Sequence, residues 1–389
     1  MNIFQFKHVG DGLFYTGSIA DEFNFVYDCG TGNNDKILNG EIATIRHLTE
    51  SKNIDFVVIS HLHENYFNGL LDLCAEYNVG RIYLPYLGEN KELIRLMLAC
   101  VIFRIPKKSH ADKLRLYAFM CKLYKIECIY DGYYRFKMPK QALAIRPEFV
   151  NGYQSHEEGA WILNAYANIE KPSKWMFVFI TKMLIKGEWR QLDKNFKKAY
   201  SKYYTDDCNF NSEAFENELL SYTNTPDGNK FLQNSFSGLC PVNNEYSISD
   251  ISSILLLHYP RTLISKFSTY LSEYKTFNQG FLQSSHKRAD GIMTLLTGDV
   301  KLDKPLENMI FNCGNFASGG GVLQIPSSDT ATNWNAVKSL ARTFNAVVGM
   351  ADNDEASQLE RKVSSDYIMY PYQYARIATQ STGITYFIE

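Results

Sequence analysis

The run Asp55-Phe56-Val57-Val58-Ile59-Ser60-His61-Leu62-His63-Glu64-Asn65-Tyr66 passes from an apolar strand directly into a histidine-bearing turn. A buried strand that ends in His-x-His aims two imidazoles from one tight turn at a common point, the way a protein offers two nitrogen ligands to a zinc-like ion. The residues after the pair matter as much. A two-metal hydrolase would place an aspartate and a further histidine there, and this chain has Asn65 and Tyr66. The motif is half present.

Outward from that turn, the N-terminal third reads as strands at Ile3–His8, Leu13–Ser18 and Phe23–Asp28, an antiparallel meander closed by glycine turns. A helix spaced on Ile42, Ile45 and Leu48 precedes the strand Asp55–Ile59. Gly69–Tyr77 reads as a helix, Arg81–Pro85 as a strand and Lys91–Ile105 as a helix. From 106 to 245 the pattern loosens. Short strands are expected at Leu143–Ile145, Trp161–Ala167 and Trp175–Ile180, then a basic-aromatic helix at Lys194–Tyr204. The polar stretch Thr205–Pro241 reads as a long loop. Beyond it, strands are expected at Ser252–His258, Gly291–Leu296, Met309–Asn312, Val322–Ile325 and Ala346–Met350. Helices are expected at Asn333–Thr343, capped by Thr332, and at Glu355–Val363, with a strand pair Tyr367–Tyr370 and Gly383–Ile388 at the close. Both halves give strands first and strand–helix alternation later, the mark of an α/β protein with two stacked sheets flanked by helices.

Composition narrows the function classes. The chain has 389 residues, 45% hydrophobic and 14% aromatic, and a net charge of −2 from 40 basic and 42 acidic side chains. That balance exerts no global pull on nucleic acid, so any such contact would be local. The eight scattered cysteines form no C-x-x-C pair and the N-terminus lacks a signal-peptide layout. Reduced thiols in a cytoplasmic protein are the expectation. No apolar run reaches the length of a membrane span.

Three strand ends carry chemistry: the His61–His63 turn, Asp28-Cys29-Gly30-Thr31-Gly32, and Leu295-Leu296-Thr297-Gly298-Asp299. Converging on one edge of a two-sheet sandwich, they would bring His61, His63 and Asp299 together as metal ligands. With Val9-Gly10-Asp11-Gly12 and Ser60-His61-Leu62-His63, these stretches resemble the metallo-β-lactamase superfamily, in its competence-type branch linked to DNA uptake. The resemblance covers about residues 1–100 and 245–389. It implies an αββα sandwich with a large central insertion: residues 1–105 and 246–389 as the two halves, 106–245 as the inserted or elaborated region.

It also implies two ions bridged by Asp299. Carried over residue by residue, the first site keeps His61, His63 and Asp299, whereas Asn65 and Tyr66 replace the second ion's own ligands. The last histidine is His286, so none after Asp299 completes either site. One zinc or similar divalent metal, or none, is the cofactor expectation. Asn65 keeps the shape of the aspartate that would handle a proton but cannot carry one. Adjacent Glu64 is the substitute candidate. Glu64 and Asn65 are thus the catalytic candidates.

Two readings follow. One is a degenerate, inactive or weakly active member that works through protein partners in a multi-protein system such as phage defence. The other is a mononuclear hydrolase or nuclease acting on phosphodiester-type bonds. His258 stands as a strand-end surface histidine or a third ligand, and His286 as a solvated loop residue. Ser318-Gly319-Gly320-Gly321 reads as a turn, lacking the rest of a P-loop. Lys194, Lys197, Lys198 and Lys202 with Tyr200, Tyr203 and Tyr204 form a basic-aromatic patch, either solvated or in contact with nucleic acid.

Overall fold

The computed structural model of the protein describes residues 2–19, 23–32, 35–47, 52–105, 107–128, 145–150, 160–164, 175–183, 186–207, 209–240, 252–260, 268–277, 280–290, 293–298, 300, 302, 304–313, 321–325, 334–344, 346–349, 367–369 and 382–388. Among these residues, sixteen strands form two sheets.

The first sheet starts with the antiparallel meander β1 (Asn2–Phe6), β2 (Phe14–Ile19) and β3 (Phe23–Cys29). It continues in parallel through β4 (Asn53–Val58), β5 (Asn78–Pro85) and β6 (Arg146–Val150). The second sheet repeats the scheme. β7 (Ala160–Asn164), β8 (Trp175–Met183), β9 (Ser252–Pro260) and β12 (Met293–Leu296) pair antiparallel, and β13 (Gly321–Ile325), β14 (Ala346–Gly349) and β15 (Tyr367–Met369) continue from β12 in parallel. On the far side of β1 the first sheet is extended by β16 (Thr382–Ile388), β10 (Ser268–Phe277) and β11 (Gly280–Asp290).

The sheets meet through aromatic rings, which alternate along the strands because successive side chains point to opposite faces. Phe25 and Phe56 lie 5.0 and 5.1 Å from Phe177, and Tyr83 lies 4.6 Å from Phe179. The other face of the first sheet buries Val26, Val57, Ile82 and Leu84 in a cluster with apolar residues of α1 (Asp35–Thr44), α3 (Leu70–Glu76), α4 (Lys91–Ile102) and α5 (His110–Leu123), the short α2 (Glu64–Phe67) sitting between. Asn90 starts α4 by accepting from the Glu92 and Leu93 amides, and Ser109 starts α5 through Asp112 N. Helices α6 (Lys186–Ala199), α7 (Ser212–Ser221) and α8 (Pro226–Ser237) follow, and α9 (Lys304–Cys313) and α10 (Trp334–Ala341) pack with strands of the second sheet.

Several expectations change. Met309–Asn312 lies inside helix α9: Leu306 and Ile310, four apart, are both buried, a helical period that a four-residue apolar run conceals. Within Thr205–Pro241, α7 is capped by Asn211 and buries Phe215, Leu219 and Leu220, and α8 opens on Pro226. Strands β10 and β11, the latter with His286, pair antiparallel, with Phe277 and Gly280 as register partners. The last two strands join different sheets instead of each other. The described residues of 106–245 contribute α5, β6–β8 and the helices of 186–240, whose Leu192, Phe196, Phe215 and Leu232 join the core cluster of α4 and α5. Leu143, Thr332 and Glu355–Val363 lie outside the described residues. No helix among the described residues is long and apolar enough to cross a membrane.

Candidate half-site at the end of strand β4

The end of β3 prepares the turn that follows β4. Asp28 adopts φ 57°, a left-handed conformation that costs most L-residues energy and that Asp tolerates better than most. Its carboxylate accepts from Ser60 N at 2.7 Å and from Ser60 Oγ at 2.6 Å. Ser60 Oγ also lies 2.7 Å from His61 Nδ1. Because Ser60 Oγ donates its proton to the Asp28 carboxyl, the hydroxyl oxygen accepts from His61 Nδ1–H. The network thereby assigns the tautomer that leaves His61 Nε2 bare.

That nitrogen is buried with no hydrogen-bond partner among the described residues, and so is His63 Nδ1. The two rings sit 6.0 Å apart. Burial, then the neighbouring His63, drives the His61 pKa well below the ordinary histidine value. His63 is lowered by burial and by Arg104, against opposing pulls from Glu64 and Asp11. Both imidazoles are held neutral, the form that ligates metals and accepts protons.

The residues that follow are already engaged. Glu64 ion-pairs with Arg104 and stands 3.7 Å from His63 Nε2. Asn65 Nδ2 donates to Asp11 Oδ2 at 3.1 Å. The Tyr66 ring packs 4.3 Å from that of His61 and 5.7 Å from that of His63, filling the space beside the pair. Loop 28–32 presses on this turn so closely that a Cβ at Gly30 would stand 2.3 Å from Asn65 O, which glycine alone avoids. Asn68 completes the contact by accepting from Thr31 N and donating to Thr31 O.

The strand end after β12 arrives at the same place. Gly298, at φ +60°, lies so close to Ser60 that a Cβ there would meet Ser60 Oγ at 2.7 Å. Gln324 of β13 clamps this turn: its Oε1 accepts from Thr297 N and Gly298 N, and its Nε2 donates to Gly298 O and Ile325 O. The His61–His63 turn, the 28–32 loop and the Thr297–Gly298 turn therefore converge. Asp299 lies outside the described residues. Among the described residues, no group of three or more His, Cys, Asp or Glu side chains could hold a metal ion.

His258 belongs elsewhere. It is fully buried between the sheets, accepts from Trp175 Nε1 at 3.3 Å and donates through Nε2 to Tyr15 OH at 2.8 Å. It is a satisfied core residue rather than a surface one. Cys29 lies beside the site, but burial, with Asp72, Cys74 and Asp28 nearby, pushes its thiol well up and keeps it inert. Sequence reasoning missed the Asp28–Ser60 relay, Arg104 and Gln324. A glutamine inside the apolar run Val322–Ile325 was the available signal for the last.

No protein-family model matches the chain, and no curated protein sequence matches it.

Proposed function

We infer that the chain is a metallo-β-lactamase-like αββα sandwich whose two-ion pocket is reduced to a half-site for a single divalent cation, and that it works through protein contacts with at most weak hydrolysis. The observation that carries this reading is the contrast across one turn. His61 Nε2 and His63 Nδ1 are buried without partners among the described residues, while the side chains that would serve a second ion or a proton transfer are spent. A buried polar atom left unpaired costs about 1–3 kcal/mol, which a bound cation would relieve. Further support comes from the repeated antiparallel-then-parallel strand scheme and from the meeting of the Ser60 and Gly298 turns.

His61 and His63, with Asp299 as the carboxylate, would hold the ion. A divalent cation there supplies Lewis acidity toward an ester or phosphoryl oxygen. The two described residues that follow His63 supply no free proton carrier. Asn65 cannot exchange a proton and Glu64 is paired with Arg104. General acid–base catalysis worth about 10²–10⁴-fold is therefore not supplied by these two positions.

The protein-contact role draws on the helical elaboration of 186–240. There Phe231 remains 46% exposed, stacked at 4.2 Å on Tyr222. The second reading, a mononuclear phosphodiesterase, is favoured by the two unpartnered nitrogens alone.

Cation-dependent hydrolysis of a chromogenic phosphodiester separates the two. The expected result is a rate near background for the wild type and a gain of about 10²-fold for Asn65→Asp. Robust wild-type turnover that disappears in His63→Ala would establish the hydrolase reading instead.

A further inference from the structure

The rim that carries the half-site continues into a second concave feature. Strands β3, β4, β5 and β6 run parallel, so their C-terminal ends share one edge, where open α/β sheets collect their ligands. After β4 that edge holds His61 and His63. After β5 it holds residues 86–93, which form one wall of a groove of about 760 Å³, and helix α6 forms the other. That volume falls within the range of ligand sites.

The groove is preformed. Asn90, which caps α4 with its oxygen, donates through Nδ2 to Asp193 Oδ1 on α6 at 2.6 Å and so ties the two walls together. Gly88, at φ +85°, lets the backbone lie directly on the Trp189 indole, where a Cβ would come within 3.1 Å. At the other end, Tyr204 and Phe210 are locked by a strand bridge and an edge-on ring contact of 4.9 Å.

Four aromatic rings, Tyr86, Trp189, Tyr204 and Phe210, line this one groove, and every one is only half-buried. Rings whose sole task is packing normally disappear into the core, as Phe25 and Phe177 do here. Half-open rings in a groove are stacking platforms.

The charges point the same way. Of the acidic groups on the walls, Asp193 is engaged with Asn90 and Lys197, and Glu92 with Arg95 and Ser212, which leaves exposed Glu89. On α6, Arg190, Lys194 and Lys198 recur every fourth residue, form one exposed ridge and have no ion-pair partner among the described residues. The uncompensated charge is therefore a line of cations on the exposed side of α6 that starts at the groove, where Arg190 lines the wall. Tyr200 and Tyr203, by contrast, turn into the helical cluster with Phe215 and are not part of the platform.

We propose that this groove binds single-stranded nucleic acid, the bases stacking on the half-open rings and the phosphates following the Arg190–Lys194–Lys198 ridge. The site is independent of the cation half-site.

The test is fluorescence anisotropy of the full chain with labelled oligo-dT and oligo-U of about twelve nucleotides, within the span such sites cover. Saturable binding that weakens steeply with salt is expected. The triple variant Arg190→Gln, Lys194→Gln, Lys198→Gln should weaken it about tenfold or more and flatten the salt slope. Trp189→Leu should weaken it about tenfold with the slope unchanged, and Tyr204→Leu serves where that variant fails to fold. His63→Ala should leave the affinity intact. Absence of saturable binding, equal affinity for duplex or for an acidic peptide of the same charge, or indifference to the triple variant would overturn the proposal. A mononucleotide bound as tightly as the oligomer would overturn the strand assignment.

Discussion

His61 owes its bare Nε2 to residues on its protected side. Asp28 accepts from the serine hydroxyl, whose oxygen accepts from His61 Nδ1–H, and the open lone pair is what remains. His258 shows the opposite outcome for the same side chain. Both of its nitrogens are satisfied, and burial lowers its pKa to about 3. The unfolded chain takes up a proton near the ordinary histidine value of 6.5, whereas the folded chain resists down to about 3. The unfolded state therefore binds more protons throughout that window, and stability is full above pH 6.5 and lost as pH falls toward 3. By pH 5 this one residue accounts for about 2 kcal/mol. His258→Phe should remove that part of the pH slope, seen as a smaller stability difference between pH 7 and pH 5 in urea unfolding. An unchanged slope would show that His258 is not held neutral by the fold.

At the scale of elements, single polar side chains hold whole turns and layers. Gln324 satisfies four backbone groups around Thr297 and Gly298, so Gln324→Leu orphans them and should cost about 3 kcal/mol or more in urea unfolding. The same change should weaken cation binding, because the Thr297–Gly298 turn rests on Ser60. Arg95 of α4 and Glu216 of α7 are buried to 2% and 1% exposure and ion-paired with each other, with Glu92 on the other side of the guanidinium. Glu216→Ala strands that guanidinium and should cost about 3–5 kcal/mol, with helices α7 and α8 losing hydrogen-exchange protection first. A loss below about 1 kcal/mol would mean that the helices dock by apolar contact alone.

These elements also show what could be read from the chain beforehand. β1–β5 and β9 were legible because each carries a compact apolar run, such as Phe56–Ile59 or Ile254–Leu257, at strand length. The antiparallel pair of β10 and β11 was not, since Ser268–Asp290 is polar in composition and its pairing spans the molecule to β16. The proposed half-site was legible where it depends on local order, as in Ser60-His61-Leu62-His63. Its long-range supports, Asp28 from thirty-two residues away and the Gln324 clamp, depend on tertiary approach that no local pattern encodes.

Across the whole molecule, two sheets bring three distant chain segments to one rim, and that rim carries two arrangements of different character. One is a pair of neutral histidines, His61 buried and His63 half-buried. The other is an open aromatic groove edged by cations. A near-neutral chain of net charge −2 accommodates both, because the charge that matters is placed locally on α6. Metal analysis of the purified full chain is the most direct test of the histidine pair as a single-cation site. One equivalent of a divalent cation per chain, lost in both His61→Ala and His63→Ala while the fold persists, is the expected result. Two equivalents, or none at saturating zinc, would contradict it.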